Sequence, residues 1–404
     1  MRGPIVEYKF GMAISRSQGF QAETKGDLSM GRALIACGGT GGHLSPGIAL
    51  AQELMSRGWS CRLLISSKKV DTRLVKKYTE IEYESIPGSG LSFRPLGLFR
   101  FVRDFIKGYR SSLKLLEAYR PDVVVGFGGF ISASSLLAGA RKGAKIAIHE
   151  ANRVPGRATR LTSRIADRIY LPEGVSLPGS RADRVSYAGI PLRSEIQPLD
   201  KQAARRSLGL DPSRKTVLIF GGSQGARSLT EWSMSHAERL GQNGLQLICL
   251  SGLGAAGDRG EEAGEKENLP ISRFIEFSDD MPTLLSAADL VVSRAGAGSL
   301  AEIARCRAPA ILIPYPFAAD DHQARNAERF EEQGGGILLA DPDLENLIGI
   351  IEDLIEDDVK LDRMRNGLLS IDAKNSRSGI ADSLEALISD PVSAGTNAVA
   401  EQRN

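Results

Sequence analysis

The chain has 404 residues, enough for two domains of ordinary size, and its 42% hydrophobic and 25% charged residues are typical of globular proteins. Its formal net charge of +2 gives no global sign of nucleic-acid binding. The four cysteines form no Cys-x-x-Cys pair, which argues against a disulfide framework and a zinc site, and no run of eighteen apolar residues predicts a membrane-spanning helix.

The first 29 residues are predicted to lie outside the folded domains. They are polar, show no helical or strand periodicity and lack the continuous apolar stretch of a signal peptide. Met30 stands immediately before the first apolar segment. We therefore expect residues 1–29 to be a disordered extension or a start assigned too early, and the first domain to begin at residue 30.

A strand, a glycine-rich loop and a helix are predicted in succession from residue 32. The segment RALIAC at 32–37 is apolar enough for a buried strand, and it runs into GGTGGH at 38–43. Pro46 is expected in the first turn of the next helix, where proline is favoured, and the strand CRLLIS follows at 61–66. This order is typical of the start of a Rossmann-like domain.

Residues 91–110, LSFRPLGLFRFVRDFIKGYR, interleave aromatic and basic side chains with a local net charge of +4. Helical spacing in the later part predicts a helix that packs its apolar stripe into the core. The first part is apolar on too many sides for one stripe, so we predict contact with anionic membrane lipids there. The predicted membrane residues are Leu91, Phe93, Arg94, Leu98, Phe99, Arg100 and Arg103.

The rest of the first domain and the linker follow. Buried strands are predicted in DVVVGFGGF at 122–130 and AKIAIHEAN at 144–152. The segment AGIPLRSEIQPLD supplies glycine, proline and charge in succession, which predicts a domain boundary near 190–212. We assign residues 30–192 to the first domain and residues 193–372 to the second.

The second domain begins with the same pattern as the first. The strand TVLIF at 216–220 runs into GGSQGARS at 221–228, and a helix and the strand LQLICLSG at 245–252 follow. The fold class is therefore predicted to be α/β, with two Rossmann-like domains whose parallel sheets face a central cleft. A final helix within 373–391 is predicted to pack back on the first domain, and residues 392–404 to form a tail.

The two glycine-rich loops are predicted to bind phosphate groups. Glycines after a strand let backbone N–H groups approach a phosphate, and the next helix N-terminus adds positive partial charge. Neither loop has the Gly-x-Gly-x-x-Gly pattern or a Gly-Lys-Ser/Thr sequence, which argues against a dinucleotide fingerprint and a P-loop. Glycine pairs also make simple tight turns, but two such loops at equivalent positions favour phosphate binding.

Seven segments carry a resemblance to a known family: GGTGGHLSPGIALA, GFGGFISASSLLA, HEANRVPGRATR, AGIPLR, GGSQGARSL, SRAGAGSLAEIA and DDHQARNA. From about residue 30 to 390 the chain resembles the MurG family, bacterial N-acetylglucosaminyltransferases of glycosyltransferase family 28. The resemblance implies a GT-B fold. It also implies inverting transfer of GlcNAc from UDP-GlcNAc to lipid I, which forms lipid II for peptidoglycan synthesis at the cytoplasmic face of the plasma membrane.

The resemblance also implies the residues of the site. Ser223 would contact the diphosphate and Glu302 the ribose, whereas Gln323, Asn326 and Asn152 would contact the sugar. The implied donor residues are Thr40, Gly41, Gly42, Asn152, Arg193, Ser223, Ala297, Gly298, Ser299, Glu302, Gln323 and Asn326. The implied residues of the acceptor pyrophosphate site are Gly39, Thr40, Gly41, Gly42 and His43. The chain departs from the family pattern at Phe130, Gly298 and His322.

Each of the polar donor residues also has a plain structural interpretation. Glu302 would be a favourable charge in the first turn of a helix, and Asp320 or Asp321 an N-cap. Gln323 and Asn326 lie three residues apart, so they share a helix face. The alternative is that this face is simply exposed to solvent.

The general base has two candidates. His43 is the first, because an imidazole titrates near neutral pH, and Glu150 is the second. The alternative for His43 is a positioning or phosphate-binding role. We interpret Asp279 and Asp280 as loop and cap residues, so no cofactor is required, and Mg²⁺ accompanying UDP stays an open alternative.

Three other functions compete with this prediction. A UDP-GlcNAc 2-epimerase needs only a soluble nucleotide sugar, so the basic and aromatic segment at 91–110 argues against it. A lipid glycosyltransferase of another pathway stays open. A non-catalytic nucleotide-sugar-binding subunit would be expected to lack His43, Asn152 or Glu302. The predicted partners are UDP-GlcNAc, lipid I, anionic lipids and other cell-wall synthesis proteins, with no nucleic acid.

Overall fold

The computed structural model contains two parallel β-sheets, one in each half of the chain, and describes residues 30–39, 41–86, 95–222, 226–252 and 272–389. The strands are β1 Arg32–Ala36, β2 Ser60–Ser66, β3 Glu82–Ile86, β4 Val123–Gly126, β5 Lys145–His149, β6 Arg168–Leu171, β7 Val185–Tyr187, β8 Thr216–Phe220, β9 Gln246–Leu250, β10 Ser272–Ile275, β11 Leu290–Ser293, β12 Ala310–Leu312 and β13 Gly336–Leu338. The helices are α1 Gly41–Ser56, α2 Lys69–Val75, α3 Pro95–Tyr119, α4 Gly129–Arg141, α5 Arg157–Thr162, α6 Lys201–Ser207, α7 Arg227–Gln242, α8 Met281–Ala287, α9 Ala297–Arg305, α10 His322–Glu332, α11 Leu347–Glu356, α12 Asp358–Asp372 and α13 Arg377–Ser389.

The first sheet has the strand order β3-β2-β1-β4-β5-β6-β7, with every pair parallel. The chain builds outward from β1 to β3 and then returns to place β4 on the other side of β1. In such sheets the loops at the carboxyl ends of the two central strands open on one crevice, where ligands bind. The loops after β1 and β4 therefore form one side of the candidate site.

Both faces of the first sheet are covered. Ile35 packs into one apolar cluster and Leu34 into another on the opposite face, as expected for a parallel sheet between two helical layers. Gly38 is required after β1, because a Cβ there would lie 2.2 Å from the Ser66 backbone nitrogen. The glycine loop therefore passes directly over the end of β2.

Two boundaries differ from the sequence prediction. Helix α1 begins at Gly41, so Pro46 lies in the second turn and not in the first. The strand expected over 122–130 ends at Gly126, and α4 begins at Gly129. Gly128 and Gly129 adopt positive φ angles of 95° and 75°, which turn the chain from strand into helix. The first glycine loop is therefore shorter than its sequence pattern suggests, and β4 is shorter than the strand expected there.

The second sheet has the order β10-β9-β8-β11-β12-β13, again with every pair parallel. The strands β8 and β11 lie side by side at its centre, in register from Leu290 opposite Val217 to Ser293 opposite Phe220. The loops after β8 and β11 therefore form the second crevice, equivalent to that of the first domain.

Two crossings join the domains. The linker after β7 is held by the α12–α13 connection, because Gly189 N donates to Lys374 O at 3.0 Å and Ile190 N to Asn375 Oδ1 at 2.9 Å. Helix α13 then packs on the first domain, where Ile380, Ala381 and Leu384 join the apolar cluster of β1 and α1. Arg57, which directly follows α1, pairs with Asp382 and Glu385 of α13. The chain therefore passes between the domains twice at one place, which forms a hinge.

Candidate functional site

Two helix N-termini face each other across the cleft. Helix α1 begins beside Gly42 and α9 beside Gly298, and a Cβ placed on Gly298 would lie 3.9 Å from the Gly42 Cα. Each N-terminus carries backbone N–H groups without helical partners and about half a positive elementary charge. Ala297 and Ser299 flank the same turn. The cleft is therefore suited to two anionic groups, one beside each helix.

The first glycine loop is held by residues that the sequence analysis did not select. Gly39 N donates to Asp71 Oδ2 at 2.8 Å, and Lys68 Nζ donates to Gly39 O at 2.6 Å. Asp71 is fully buried, also accepts from the Ser66 hydroxyl, and keeps its Oδ1 without a partner in the described part of the chain. An acid in the first turn of the helix after the second strand was the signal that could have identified it.

His43 lies between the first glycine loop and the β4–α4 turn. A Cβ on Gly128 would lie 3.1 Å from its Nε2, so the turn leaves space for the imidazole only because glycine is there. Burial lowers the pKa of His43 below its usual value, and the nearby positive charges of Lys68 and His322 act in the same direction, whereas Glu150 and Asp71 oppose them. The lowered pKa favours the neutral imidazole near pH 7, which is the form that can accept a proton.

Glu150, the second candidate base, is buried and already accepts four hydrogen bonds. Its Oε2 accepts from Thr159 Oγ1 at 2.7 Å and Gly156 N at 2.9 Å. Its Oε1 accepts from Asn152 N at 3.0 Å and Asn152 Nδ2 at 3.1 Å. These four contacts engage both carboxylate oxygens. The geometry therefore favours a role for Glu150 in holding the Asn152 loop.

Asn152 and Asn326 meet across the cleft. Asn326 Nδ2 donates to Asn152 Oδ1 and to Ala295 O, both at 3.2 Å, and its Oδ1 accepts from Arg153 N at 3.0 Å. Gln323 Oε1 accepts from Tyr315 N at 2.9 Å. A sugar hydroxyl that binds these amides would have to replace one of these contacts. The described state thus brings the predicted sugar residues together but occupies their hydrogen-bonding groups.

Neither aspartate before α10 acts as a side-chain cap. Asp321 holds the N-cap position with a positive φ of 54°, and its side chain makes no capping hydrogen bond. Asp320 pairs instead with Arg157 and Arg160 of α5, at 3.8 and 3.3 Å. Asp321 therefore holds the predicted N-cap position without a capping side chain, whereas Asp320 bridges the mouth of the cleft.

Glu302 lies at the hinge side of the cleft, where it contacts Arg193. Arg193 Nη2 donates to Glu302 Oε1 at 3.2 Å, and the Ser45 side chain of α1 also hydrogen-bonds the carboxylate. Burial raises the pKa of Glu302, and Arg193 opposes that effect. Glu302 is the sixth residue of α9, so the alternative of a first-turn charge does not hold.

The second glycine loop is described only in part. Ser299 lies next to it, because a Cβ on Gly222 or on Gly296 would lie 4.0 or 3.9 Å from the Ser299 hydroxyl. The loops after β8 and β11 therefore meet at this serine. Five predicted site residues fall outside the described residues: Thr40, Leu91, Phe93, Arg94 and Ser223.

Helix α3 presents an apolar face beside the cleft. Phe101 packs edge-on against Phe130 of α4, with 4.7 Å between ring centroids, so the inner side of the helix reaches the turn that holds His43. The exposed large apolar side chains are Leu96, Leu98, Phe99, Val102 and Ile106. The exposed basic side chains are Arg100, Arg103, Lys107 and Arg110.

The exposed face of α3 is longer than the sequence predicted. Val102 and Ile106, expected in the core, continue the line of Leu98 at four-residue spacing, because only the later half of the helix meets the sheet. No helix among the described residues is long and apolar enough to cross a membrane.

The aspartates considered for a metal have structural contacts. Asp280 accepts from Thr283 N and Oγ1 and thereby caps α8. Asp279 lies 3.9 Å from Arg73. Within the described ranges, no group of three or more His, Cys, Asp and Glu side chains is arranged to hold a metal ion.

Comparison with known proteins identifies both halves of the chain. Residues 33–171 match the glycosyltransferase family 28 N-terminal domain, and residues 216–383 match the glycosyltransferase family 28 C-terminal domain. The UDP-N-acetylglucosamine–N-acetylmuramyl-(pentapeptide) pyrophosphoryl-undecaprenol N-acetylglucosamine transferase of Opitutus terrae is 44% identical over 88% of this chain and 94% of its own length.

Solved structures share the architecture. The crystal structure of Acinetobacter baumannii MurG matches with a TM-score of 0.62 at 22% identity, over 88% of this chain and 99% of that one. A putative UDP-N-acetylglucosamine 2-epimerase from Listeria monocytogenes matches with a TM-score of 0.60 at 16% identity, over 83% and 90%. At these identities the likeness is one of fold alone.

Proposed function

The chain belongs to glycosyltransferase family 28, within its MurG group, and from that premise we propose how its residues divide the work of glycosyl transfer. The enzyme transfers N-acetylglucosamine from UDP-GlcNAc to lipid I, which forms lipid II for peptidoglycan synthesis. The observation that carries this function is the 44% identity with a transferase of that name over almost its whole length. The epimerase alternative has only a likeness of fold in its support.

The donor nucleotide is proposed to bind the second domain at the loops after β8 and β11. The diphosphate would lie at the N-terminus of α9, close to Ala297, Gly298 and Ser299, with Ser223 from the second glycine loop. Free N–H groups and the helix dipole support an anion there. Glu302, whose carboxylate already accepts from a hydroxyl of Ser45, would accept from the ribose hydroxyls.

The sugar of the donor is proposed to lie between the amides of the two domains. Asn152 and Asn326 supply donors and acceptors at one point of the cleft, and Gln323 lies three residues before Asn326 on α10. Asn152 and Asn326 contact each other directly, so their side-chain amides are close enough to bind the same small ligand. This contact supports a shared role. Arg193 would contact the donor from the hinge.

The acceptor pyrophosphate is proposed to bind the first glycine loop at Gly39, Thr40, Gly41 and Gly42, at the N-terminus of α1. The 4-hydroxyl oxygen of the acceptor sugar attacks the anomeric carbon, and the bond from that carbon to UDP breaks, which inverts the configuration. His43 takes the hydroxyl proton. Its lowered pKa supports this role, because the neutral imidazole is the form that accepts a proton.

Departure of UDP is proposed to depend on backbone groups. Negative charge develops on the diphosphate as the bond breaks, and N–H donors fixed at a helix N-terminus stabilise it without reorganisation. The N-terminus of α9 supports this arrangement. A Mg²⁺ ion bound with UDP stays compatible with it.

The exposed face of α3 is proposed to bind the cytoplasmic surface of the plasma membrane. Apolar side chains would enter the headgroup region, and Arg100 and Arg103 would pair with anionic lipids. The undecaprenol in the names of the relatives supports a membrane-bound acceptor. The contact of Phe101 with Phe130 would then place the acceptor headgroup close to His43.

The test is transfer of labelled GlcNAc from UDP-GlcNAc to a short-chain lipid I analogue. Wild type is expected to form the disaccharide. Glu302→Ala should raise the donor KM about 10- to 100-fold, as loss of hydrogen bonds to a charged group predicts. His43→Ala should lower kcat by about 10²- to 10⁴-fold with the donor KM retained.

A matched control is Glu328→Ala, on the exposed side of α10, which should leave both constants unchanged. Binding of UDP-GlcNAc by wild type without transfer to this acceptor would overturn the assigned acceptor. A kcat of His43→Ala near that of wild type would exclude His43 as the base.

A further inference from the structure

The phenol of Tyr78 joins the first domain to the linker. Tyr78 lies between α2 and β3 and is 5% exposed, with its ring in the apolar cluster of the first domain. Its hydroxyl accepts from Arg193 Nη1 at 2.9 Å and donates to the Glu195 carboxylate. Arg193 and Glu195 lie in the linker after β7. One hydroxyl thus holds a cation and an anion of the interdomain segment.

We infer that Tyr78 is a positioning residue for donor binding, which fixes the direction of the Arg193 guanidinium. The inference rests on the proposed function, in which Arg193 contacts the donor. Arg193 Nη1 is engaged by Tyr78 and lies 3.4 Å from Glu195, and Nη2 is engaged by Glu302. Contacts at both terminal nitrogens fix the plane of the group.

The third nitrogen of the Arg193 guanidinium is Nε. This nitrogen is buried and has no hydrogen-bond partner among the described residues. A buried N–H without an acceptor is costly, so an oxygen that reaches it gains binding free energy. A phosphate oxygen is a suitable acceptor, because guanidinium groups bind phosphate through adjacent N–H groups. The orientation set by Tyr78 therefore decides which N–H groups are left for the donor.

Removal of the hydroxyl would reorganise this cluster. Glu195 would lose the hydroxyl that holds it, and its carboxylate lies close enough to Arg193 to take the guanidinium for itself. Arg193 would then turn away from Glu302. Burial raises the pKa of Tyr78, so the hydroxyl stays protonated and keeps its bond to Glu195 across the working pH range.

The effect should fall on the donor and not on the acceptor. Glu302 and Arg193 share one ion pair, so a displaced guanidinium disturbs both groups proposed for the donor. The first glycine loop is held separately by Asp71 and Lys68. A general loss of stability would instead weaken both substrates and kcat together.

Tyr78→Phe tests this, with Tyr119→Phe as the matched control. Tyr119 is 6% exposed and its hydroxyl lies 2.9 Å from Ser60 Oγ, so its variant loses one partly buried hydrogen bond, whereas Tyr78→Phe loses two. Tyr78→Phe should raise the KM of UDP-GlcNAc and the Kd of UDP about tenfold, as loss of a bond to a charged group predicts. Its kcat and acceptor KM should stay within about twofold of wild type. Tyr119→Phe should leave the donor constants unchanged.

The outcomes separate this inference from the proposed function. If UDP does not bind wild type, or if Arg193→Lys binds UDP as wild type does, the assigned donor site fails. If Arg193→Lys weakens UDP binding but Tyr78→Phe does not, the positioning role is overturned. In the double variant Tyr78→Phe/Arg193→Lys the loss should equal that of Arg193→Lys alone, and full additivity would also overturn it.

Discussion

Single residues of the site owe their properties to burial. Burial lowers the pKa of His43 because it disfavours the imidazole cation, and it raises the pKa of Glu302 because it disfavours the carboxylate anion. Neither effect is a property of the residue type, since an exposed histidine or glutamate would keep its ordinary pKa. The pKa values of these side chains therefore depend on the surroundings that the folded chain gives them.

The lowered pKa of His43 predicts the pH dependence of the reaction. The base form is the neutral imidazole, so kcat/KM should rise with pH through the pKa of His43, with a midpoint below the usual 6.5. Rates measured from pH 5 to 8 test this, and a midpoint above 6.5 would contradict it. In His43→Gln this limb should be absent.

Stability should follow pH in the same direction. Burial lowers the pKa of both His43 and His149 in the folded chain, so the unfolded chain takes up protons first as pH falls. The stabilisation is complete above about 6.5, the pKa of an unfolded histidine, and is lost as pH falls toward the folded pKa values. The melting temperature should accordingly fall between pH 7.5 and 5.5.

At the level of elements, two helices contribute their N-termini to the cleft, and a third contributes an exposed apolar face. The N-termini of α1 and α9 bring backbone donors into the cleft, whereas α3 carries its apolar face outward. An apolar patch with basic neighbours on a protein surface is typical of a membrane or protein contact. Its position along α3 follows from packing, because α4 and the sheet cover only the other sides of the helix.

Substitution on α3 should separate membrane binding from stability. Phe99 is 68% exposed, so Phe99→Ser should leave the melting temperature unchanged and weaken binding to vesicles that contain anionic lipid, by about 2 kcal/mol for a lost aromatic contact. Leu369→Ser is the control, since Leu369 is an exposed apolar residue on α12. Sedimentation with vesicles measures both. Equal vesicle binding by Phe99→Ser and wild type would exclude this face of α3.

At the level of the whole molecule, different kinds of contact join the domains at the two sides of the cleft. The hinge side has the buried cluster of Arg193, Glu302 and Tyr78. The mouth has the pairs of Asp320 with Arg157 and Arg160, whose side chains are partly exposed. Exposed ion pairs contribute little, typically less than about 1 kcal/mol. We therefore expect the mouth to be the side that opens for substrate.

Loss of the Asp320 ion pairs should increase the radius of gyration without changing the free energy of unfolding. Asp320→Ala should increase the radius of gyration of the free enzyme in X-ray scattering, with the free energy of unfolding within about 1 kcal/mol of wild type. With UDP-GlcNAc bound, variant and wild type should agree. The control is Asp362→Ala, which removes an exposed pair with Arg365 inside α12. An unchanged radius of gyration would show that Asp320 does not hold the mouth.

The family and the order of its elements are accessible from the sequence alone. Strands such as RALIAC and TVLIF are local apolar runs, and the glycine loops after them are local motifs. The predicted GT-B fold with two parallel sheets is confirmed, as is membership of the family. Local patterns are sufficient for inner strands such as β1 and β8, because a strand covered on both faces is apolar along most of its length.

Tertiary structure decided what surrounds each group. Asp71 and Tyr78 have no motif of their own, and each acts through a partner far along the chain, Gly39 for one and Arg193 for the other. The predicted boundaries at Pro46 and at 122–130 were wrong for a similar reason. The residue at which a glycine loop turns into a helix depends on the tertiary contacts of the loop. Hydrogen bonds and burial between distant segments have no periodicity in the sequence, so only the folded chain fixes which hydroxyl orients Arg193 and which histidine stays neutral.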